Sequence, residues 1–152
     1  MHLLLQTPFS PAALIIRIAL GVVMFPHGAQ KALGWFGGDG FKTTLSQFHQ
    51  EMGIPVPLAL LAMAAEFLGS MGVIVGFLTR IAAFGIACTV IVAAWTVHWQ
   101  FGFFLNWFGK KAGNGVEYHI LALGMALSLI VSGGGMFSLD RFILQTASFV
   151  ET

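Results

Sequence analysis

The sequence predicts an all-α integral membrane protein, a four-helix bundle with short interfacial helices, formed as a single domain over residues 1–152. Composition is the first reason. Hydrophobic residues make up 57% of the chain and charged residues only 9%, whereas soluble domains carry about 25% charged residues. The second reason is that a mean hydropathy of +0.87 accompanies four apolar segments, each near the roughly 20 residues that one helix needs to cross a bilayer.

The four predicted spans follow one another along the chain. They run over residues 11–33, 56–78, 79–104 and 117–134. The first begins where Ser10 precedes Pro11, because serine is a favoured N-cap and proline a favoured first helical residue. Almost no loop separates the second span from the third, which predicts a tight antiparallel hairpin. The fourth span ends at three consecutive glycines, residues 133–135.

Two shorter segments are predicted to be helices that lie in the membrane interface. Between residues 41 and 52, apolar residues recur at helical spacing among polar ones, and residues 138–144 follow the fourth span with a helix-start signal. An even number of spans places both termini on one side of the membrane. We expect that side to be the cytoplasm, at a bacterial inner membrane, because Arg80 and Arg141 lie on it.

Charge and cysteine content exclude several classes of function. The formal net charge is +1, and no stripe of lysine and arginine suggests nucleic-acid binding. Cys88 is the only cysteine, so the chain has neither an internal disulfide nor a dithiol redox couple. The glycine-rich residues 37–40 lack the strand and the lysine of a phosphate-binding loop, and they are predicted to be a flexible turn.

Glu66 is the one charged residue of the second span and the candidate catalytic residue. A carboxylate at the centre of a membrane helix costs about 2.5–3.5 kcal/mol on insertion scales, so it needs a partner or a function. Gly69 and Gly76 share its helical face, which indicates that Glu66 points into the bundle. Arg17 is the predicted salt-bridge partner. Either this pair only braces two spans, or Glu66 carries a proton or binds a ligand.

Further polar residues gather near the loop side of the predicted bundle. The candidate ligands for a transition metal or a haem, both of which imidazole and carboxylate groups suit, are His27, His98, Glu117 and His119. Glu117 and His119 diverge by about 160° on one helix, so only one of them can face a shared pocket, and Glu117 is the favoured one. The alternative is a set of interfacial polar residues that water and neighbouring groups satisfy.

The polar positions also occur in a recognisable order. The pieces are Arg17-x-x-x-Gly21, His27-Gly28-x-x-Lys31, Glu66, His98-Trp99-Gln100-Phe101-Gly102-Phe103-Phe104, Glu117-Tyr118 and the glycine-rich residues 133–140. As a set they resemble the DoxX family of small four-helix membrane proteins, with Gln100 where that family usually has asparagine. The resemblance implies a link to terminal oxidase and thiosulfate:quinone oxidoreductase activity, and to relatives with transport or cargo roles.

We therefore expect a membrane subunit of a quinone-linked redox system, with a quinone, a metal or a haem in a polar pocket on the loop side. The candidate cofactor-binding residues are Arg17, His27, Lys31 and Trp95. Because a chain of this size carries electrons only with an acquired cofactor, the expected partners are a redox subunit or further copies of the chain, beside membrane lipids. The alternative is a small transporter or assembly partner, not an enzyme, whose buried ion pairs are structural.

Overall fold

A computed structural model describes residues 5–150 of the chain, with side chains up to residue 147, and this part is helical without strands. The all-α prediction is confirmed. The elements in chain order are α1 (Pro11–Leu33), α2 (Gly40–Ser46), α3 (Val56–Val75), α4 (Thr79–Ala93), α5 (Glu117–Ser132) and α6 (Leu139–Val150). The long helices α1, α3, α4 and α5 pack against each other, and α2 and α6 flank them.

Helix α1 begins at Pro11, where the sequence predicts a start. The Ser10 hydroxyl accepts a hydrogen bond from the backbone N–H of Ala13 at 3.2 Å, which satisfies one of the free donors of the first turn. The helix ends at Gly34, which adopts a left-handed conformation with φ of 73°. Pro26 lies inside the helix, directly before His27, and it leaves one backbone carbonyl of the preceding turn without its helical donor.

The hairpin between α3 and α4 is as short as the sequence predicts, but its boundaries differ. Helix α3 ends at Val75 because Gly76 turns left-handed with φ of 72°. Helix α4 continues past Ala93 as a π-helical turn (Ala94–His98) and a 3₁₀ turn (Trp99–Phe101). The continuous helical segment therefore stops three residues before the predicted end at residue 104.

Within residues 5–150, three helical segments are long and apolar enough to cross a membrane, namely Pro11–Leu33, Val56–Val75 and Thr79–Phe101. Their outer faces carry exposed apolar side chains such as Leu61 and Phe84, which suits a surface that faces lipid. Helix α5 has 16 residues, fewer than the roughly 20 that one crossing requires. The fold confirms a helical membrane protein, and a fourth crossing by α5 stays a prediction.

The core between the long helices mixes branched and small side chains. Leu20, Val73, Ile86 and Leu129 come from α1, α3, α4 and α5 respectively, and all four are fully buried. Lipid tails are as apolar as leucine, so association of membrane helices depends on close packing and on polar contacts. Polar contacts between the helices therefore matter for the association of the bundle, and they occur at both of its ends.

Arg17 does not pair with Glu66, and the predicted Arg17–Glu66 salt bridge is wrong. The Arg17 side chain is buried, with 2% of its surface exposed. Its guanidinium donates to the carbonyl oxygens of Gly134 at 2.9 Å and Phe137 at 3.1 Å, both in the connection between α5 and α6. The glycine-rich connection presents backbone acceptors at the terminal end of the bundle, and side-chain phasing along a helix cannot anticipate such acceptors.

Asp140 and Arg80 also make polar contacts at the terminal end of the bundle. The Asp140 carboxylate accepts the backbone N–H groups of Leu78 at 2.7 Å and Thr79 at 2.9 Å, so it caps the start of α4 from the far end of the sequence. The Arg80 guanidinium donates to carbonyl oxygens at the end of α5, including that of Val131 at 2.7 Å. The contacts of Arg17, Asp140 and Arg80 therefore hold α1, α4, α5 and α6 together at the end opposite the predicted pocket.

Candidate functional site

A cavity of about 370 Å³ opens at the loop-side end of the bundle, where α1, α3, α4 and α5 meet. Its lining consists of Met24, His27, Lys31, Glu66, Thr89, Val90, Ala93, His98, Leu105, Asn114, Tyr118 and His119. Five of the eight candidate site residues are therefore brought together at one place. The other three, Arg17, Trp95 and Glu117, lie elsewhere.

Glu66 forms its ion pair with Lys31. The Lys31 ammonium donates to a Glu66 carboxylate oxygen, and the two side chains are 27% and 10% exposed. Gly28, one turn before Lys31, makes this possible, because a Cβ at that position would lie 2.6 Å from the Phe67 Cα. The missing side chain lets α1 approach α3 closely enough for the lysine to reach the carboxylate.

Aromatic and imidazole rings form a row along the lining of the cavity. Ring centroids are 6.1 Å apart for His27 and Tyr118, 5.3 Å for Tyr118 and His119, and 4.2 Å for His119 and His98. The Tyr118 hydroxyl donates to the Met24 sulfur at 3.4 Å. Since a thioether is a weak acceptor, this hydroxyl can exchange its bond for one to a ligand at little cost.

His98 reaches the cavity from the π-helical turn that ends α4. Such turns change the phase of the residues after them and occur often at functional sites. The His98 Nδ1 atom lies 2.8 Å from the backbone oxygen of Asn114, in the loop that leads to α5. The π-helical turn and this contact together orient the imidazole.

Comparison with known protein families assigns this chain to one of them. A sequence model described as DoxX matches residues 12–99, more than half of the chain. The chain belongs to the DoxX family. The predicted resemblance is thereby confirmed, and the matched region includes His27, Lys31, Glu66 and His98 but not Tyr118 or His119.

Two curated relatives extend over most of this DoxX chain. A Bacillus subtilis (strain 168) protein named "Putative oxidoreductase CatD" is 28% identical over 137 residues, which cover 90% of each chain. An Escherichia coli (strain K12) protein named "Inner membrane protein YqjF" is 27% identical over 132 residues, covering 86% of this chain and 90% of the relative. No solved structure matches. The relatives support an integral membrane protein.

The favoured orientation of Glu117 is wrong for this DoxX protein, because His119 lines the cavity instead. A Glu117 carboxylate oxygen accepts hydrogen bonds from the backbone N–H of Leu105 and from the Trp107 indole, both at 3.1 Å. Glu117 is the first residue of α5, so its side chain lies against the preceding loop and holds that loop by these hydrogen bonds. His119 is 8% exposed and packs against His98.

Trp95 lies outside the cavity. Its side chain is 71% exposed, and its ring packs against Trp99 with centroids 5.7 Å apart. It belongs to the apolar outer surface of the π-helical turn. The predicted contact of Trp95 with a cofactor has no support from its position.

The four predicted metal ligands do not come together as one group. Within residues 5–150, no group of three or more His, Cys, Asp or Glu side chains is placed to hold a metal ion. Glu117 closes the loop, and Tyr118 stands between His27 and His119.

Tyr118 is the site residue that sequence reasoning missed. It is the only tyrosine of the chain and stands between two residues that were themselves candidates. A tyrosine at the loop end of an apolar span is usually an interfacial anchor, so its position in the sequence did not indicate a place in the cavity. Its phenol bridges α1 and α5 at the cavity wall.

Proposed function

We propose that this DoxX protein is a membrane subunit of a quinone-linked redox system and that the cavity holds the quinone ring. The observation that carries the proposal is that two groups of polar side chains meet in one cavity. They are the Lys31–Glu66 ion pair and the row of rings from His27 to His98. Polar groups that converge in an otherwise apolar pocket are typical of small-molecule sites.

The charge of the lining favours a neutral ligand. The lysine and the glutamate compensate each other, so an anion such as a nucleotide finds no net positive charge. Met24, Val90, Ala93 and Leu105 provide apolar walls that suit the faces of a planar ring. A volume of about 370 Å³ is near the lower end of the usual 300–1,000 Å³ for ligand pockets. It accommodates a quinone headgroup, while a long isoprenoid tail would extend into lipid.

The residues have distinct proposed roles. The Lys31 ammonium and the His27 imidazole donate hydrogen bonds to a quinone oxygen. Glu66 holds Lys31 in place and exchanges a proton with it, so it is the proposed proton carrier of the site. The Tyr118 hydroxyl, which is held only by a thioether, supplies a further donor. Electrons pass between the ligand and a partner subunit, since Cys88 is the only thiol of the chain.

The relatives named "Putative oxidoreductase CatD" and "Inner membrane protein YqjF" support a redox role and a bacterial inner membrane. We place both termini in the cytoplasm and expect the chain to function with a redox subunit or as a homo-oligomer. Labelling of intact cells with a membrane-impermeant maleimide tests the orientation. In a Cys88→Ala background, Lys110→Cys should be labelled and Thr146→Cys should not, and the reverse pattern would contradict this orientation.

Purified protein in detergent tests the quinone site directly. Organic extraction should recover a bound quinone, and saturating duroquinone should raise the melting temperature. A ligand at a hundred times its Kd stabilises by about 2.7 kcal/mol, or roughly 5–10 °C for a chain of this size. Lys31→Met and Glu66→Gln should abolish this shift, while Lys110→Met, an exposed lysine outside the cavity, should retain it.

Two results would refute the proposal. One is the absence of any extracted quinone together with no thermal shift from duroquinone. The other is an equal shift in wild type, Lys31→Met and Glu66→Gln, because the ligand would then bind elsewhere. Either result would favour the second function, a transporter or assembly partner, in which the ion pair braces the bundle as Arg17 and Asp140 do at the other end.

A further inference from the structure

His98 and His119 form a ring pair in the cavity wall, and their surroundings assign a different tautomer to each. Their centroids are 4.2 Å apart with an interplanar angle of 41°. An in-plane N–H···N hydrogen bond between two imidazoles would place the centroids about 5 Å apart. The two rings are therefore in tilted face contact, and their ring nitrogens are not used up on each other.

The tautomer of His98 follows from its bond to the loop. Its Nδ1 atom lies 2.8 Å from the Asn114 backbone oxygen. A carbonyl oxygen only accepts, so Nδ1 carries the hydrogen. In the neutral ring, Nε2 is then left with a lone pair. His98 therefore offers the cavity a hydrogen-bond acceptor.

The tautomer of His119 follows from the lack of such a bond. Its Nδ1 atom is enclosed by protein and has no hydrogen-bond partner among the described residues. A hydrogen there would be a buried donor without an acceptor, which is unfavourable because the group has lost its hydrogen bond to water. The lower-energy neutral form has the hydrogen on Nε2, the nitrogen that is not enclosed. His119 therefore offers the cavity a donor.

We infer that the His98–His119 pair binds a hydroxyl group and so selects the hydroquinone form of the ligand over the quinone form. A hydroxyl donates to His98 Nε2 and accepts from His119 Nε2–H at once. A quinone oxygen only accepts, so it leaves the His98 acceptor without a donor. The inference rests on the proposed quinone site and adds which redox form that site recognises and which two residues recognise it.

Three ring compounds of similar shape test this inference by titration of the purified protein under anaerobic conditions. They are tetramethylhydroquinone, its dimethyl ether and duroquinone. A quinone or ether oxygen can still accept from His119 but leaves the His98 acceptor unpaired, and the loss of this one hydrogen bond corresponds to about a tenfold difference in Kd. The hydroquinone should bind about tenfold more tightly than either other compound. His98→Phe and His119→Phe should bring this ratio close to one. His49→Phe should keep it, because His49 lies outside the cavity in the π-helical turn (Gln47–Glu51) after α2.

Nitrogen NMR of histidine-labelled wild type gives a second test that does not depend on whether the variants fold. Each neutral tautomer has its own pair of ¹⁵N shifts. We expect Nδ1–H for His98 and Nε2–H for His119, and the same tautomer at both positions would overturn the inference.

The outcomes separate the two proposals. Equal affinity for the three compounds in wild type, with Lys31→Met still abolishing binding, overturns the hydroxyl selection and keeps the quinone site. Tighter binding of duroquinone than of the hydroquinone has the same meaning. Binding of none of the three overturns the quinone site and the hydroxyl selection together.

Discussion

Gly28→Ala tests whether the close approach of α1 and α3 creates the site. A Cβ at residue 28 would lie 2.6 Å from both the Cα and the backbone nitrogen of Phe67, and 2.7 Å from the carbonyl carbon of Glu66. These are backbone atoms of α3, which cannot rotate away as a flexible side chain can. To reach an ordinary contact of 3.4 Å, the two helices must separate at this point, and the Lys31–Glu66 pair lies within one turn of it.

Gly124→Ala is the matched control, because a Cβ there meets nothing within 4 Å. Both substitutions lie inside helices, and each gains up to about 1 kcal/mol of helix propensity. Only Gly28→Ala adds overpacking, which typically costs about 1–3 kcal/mol. The propensity gain cancels in the comparison. We therefore expect Gly28→Ala to be less stable than Gly124→Ala by about 1–3 kcal/mol, or roughly 2–12 °C in melting temperature.

Thermal unfolding in detergent measures the stability difference, and the duroquinone-induced shift measures the state of the site. Gly28→Ala should lose most of this shift, and Gly124→Ala should keep it. Equal melting temperatures and equal ligand shifts in the two variants would refute the reasoning. The helix approach at residue 28 would then not be what holds the lysine against the glutamate.

Three further predictions concern other side chains. Asp140→Asn should lower the free energy of unfolding by about 2–4 kcal/mol, because one of the two oxygens that accept N–H groups at the start of α4 becomes a donor. The exposed Asp39→Asn should leave the free energy of unfolding unchanged. Equal stability of the two variants in thermal unfolding would contradict the cap. Lys31→Met should cost about 3 kcal/mol by leaving a buried carboxylate uncompensated. Adding Glu66→Gln should recover part of that loss, and simple additivity would argue against a direct pair. Trp95→Leu should change the Kd for duroquinone less than about twofold, since this side chain is outside the cavity; a larger loss would place the ligand on the outer surface.

Local patterns in the sequence determined the class of the protein and most of the site. Hydropathy and spacing depend only on residues near each other in the chain, so they predicted the helices, the Ser10 cap and the tight hairpin. An isolated carboxylate within an apolar run has to be satisfied inside the bundle. That requirement identified Glu66 and directed attention to the loop-side histidines and Lys31.

Tertiary structure decided which groups meet, because those contacts join distant parts of the chain through backbone atoms. Arg17 finds carbonyl acceptors 117 and 120 residues away, which frees Glu66 for Lys31. A π-helical turn resets the phase of His98, and helical spacing alone assumes that phase is constant. His119 takes the place predicted for Glu117 because a folded loop occupies the carboxylate. The sequence thus predicted which polar residue types the site contains, and the folded backbone decided which of them are in contact.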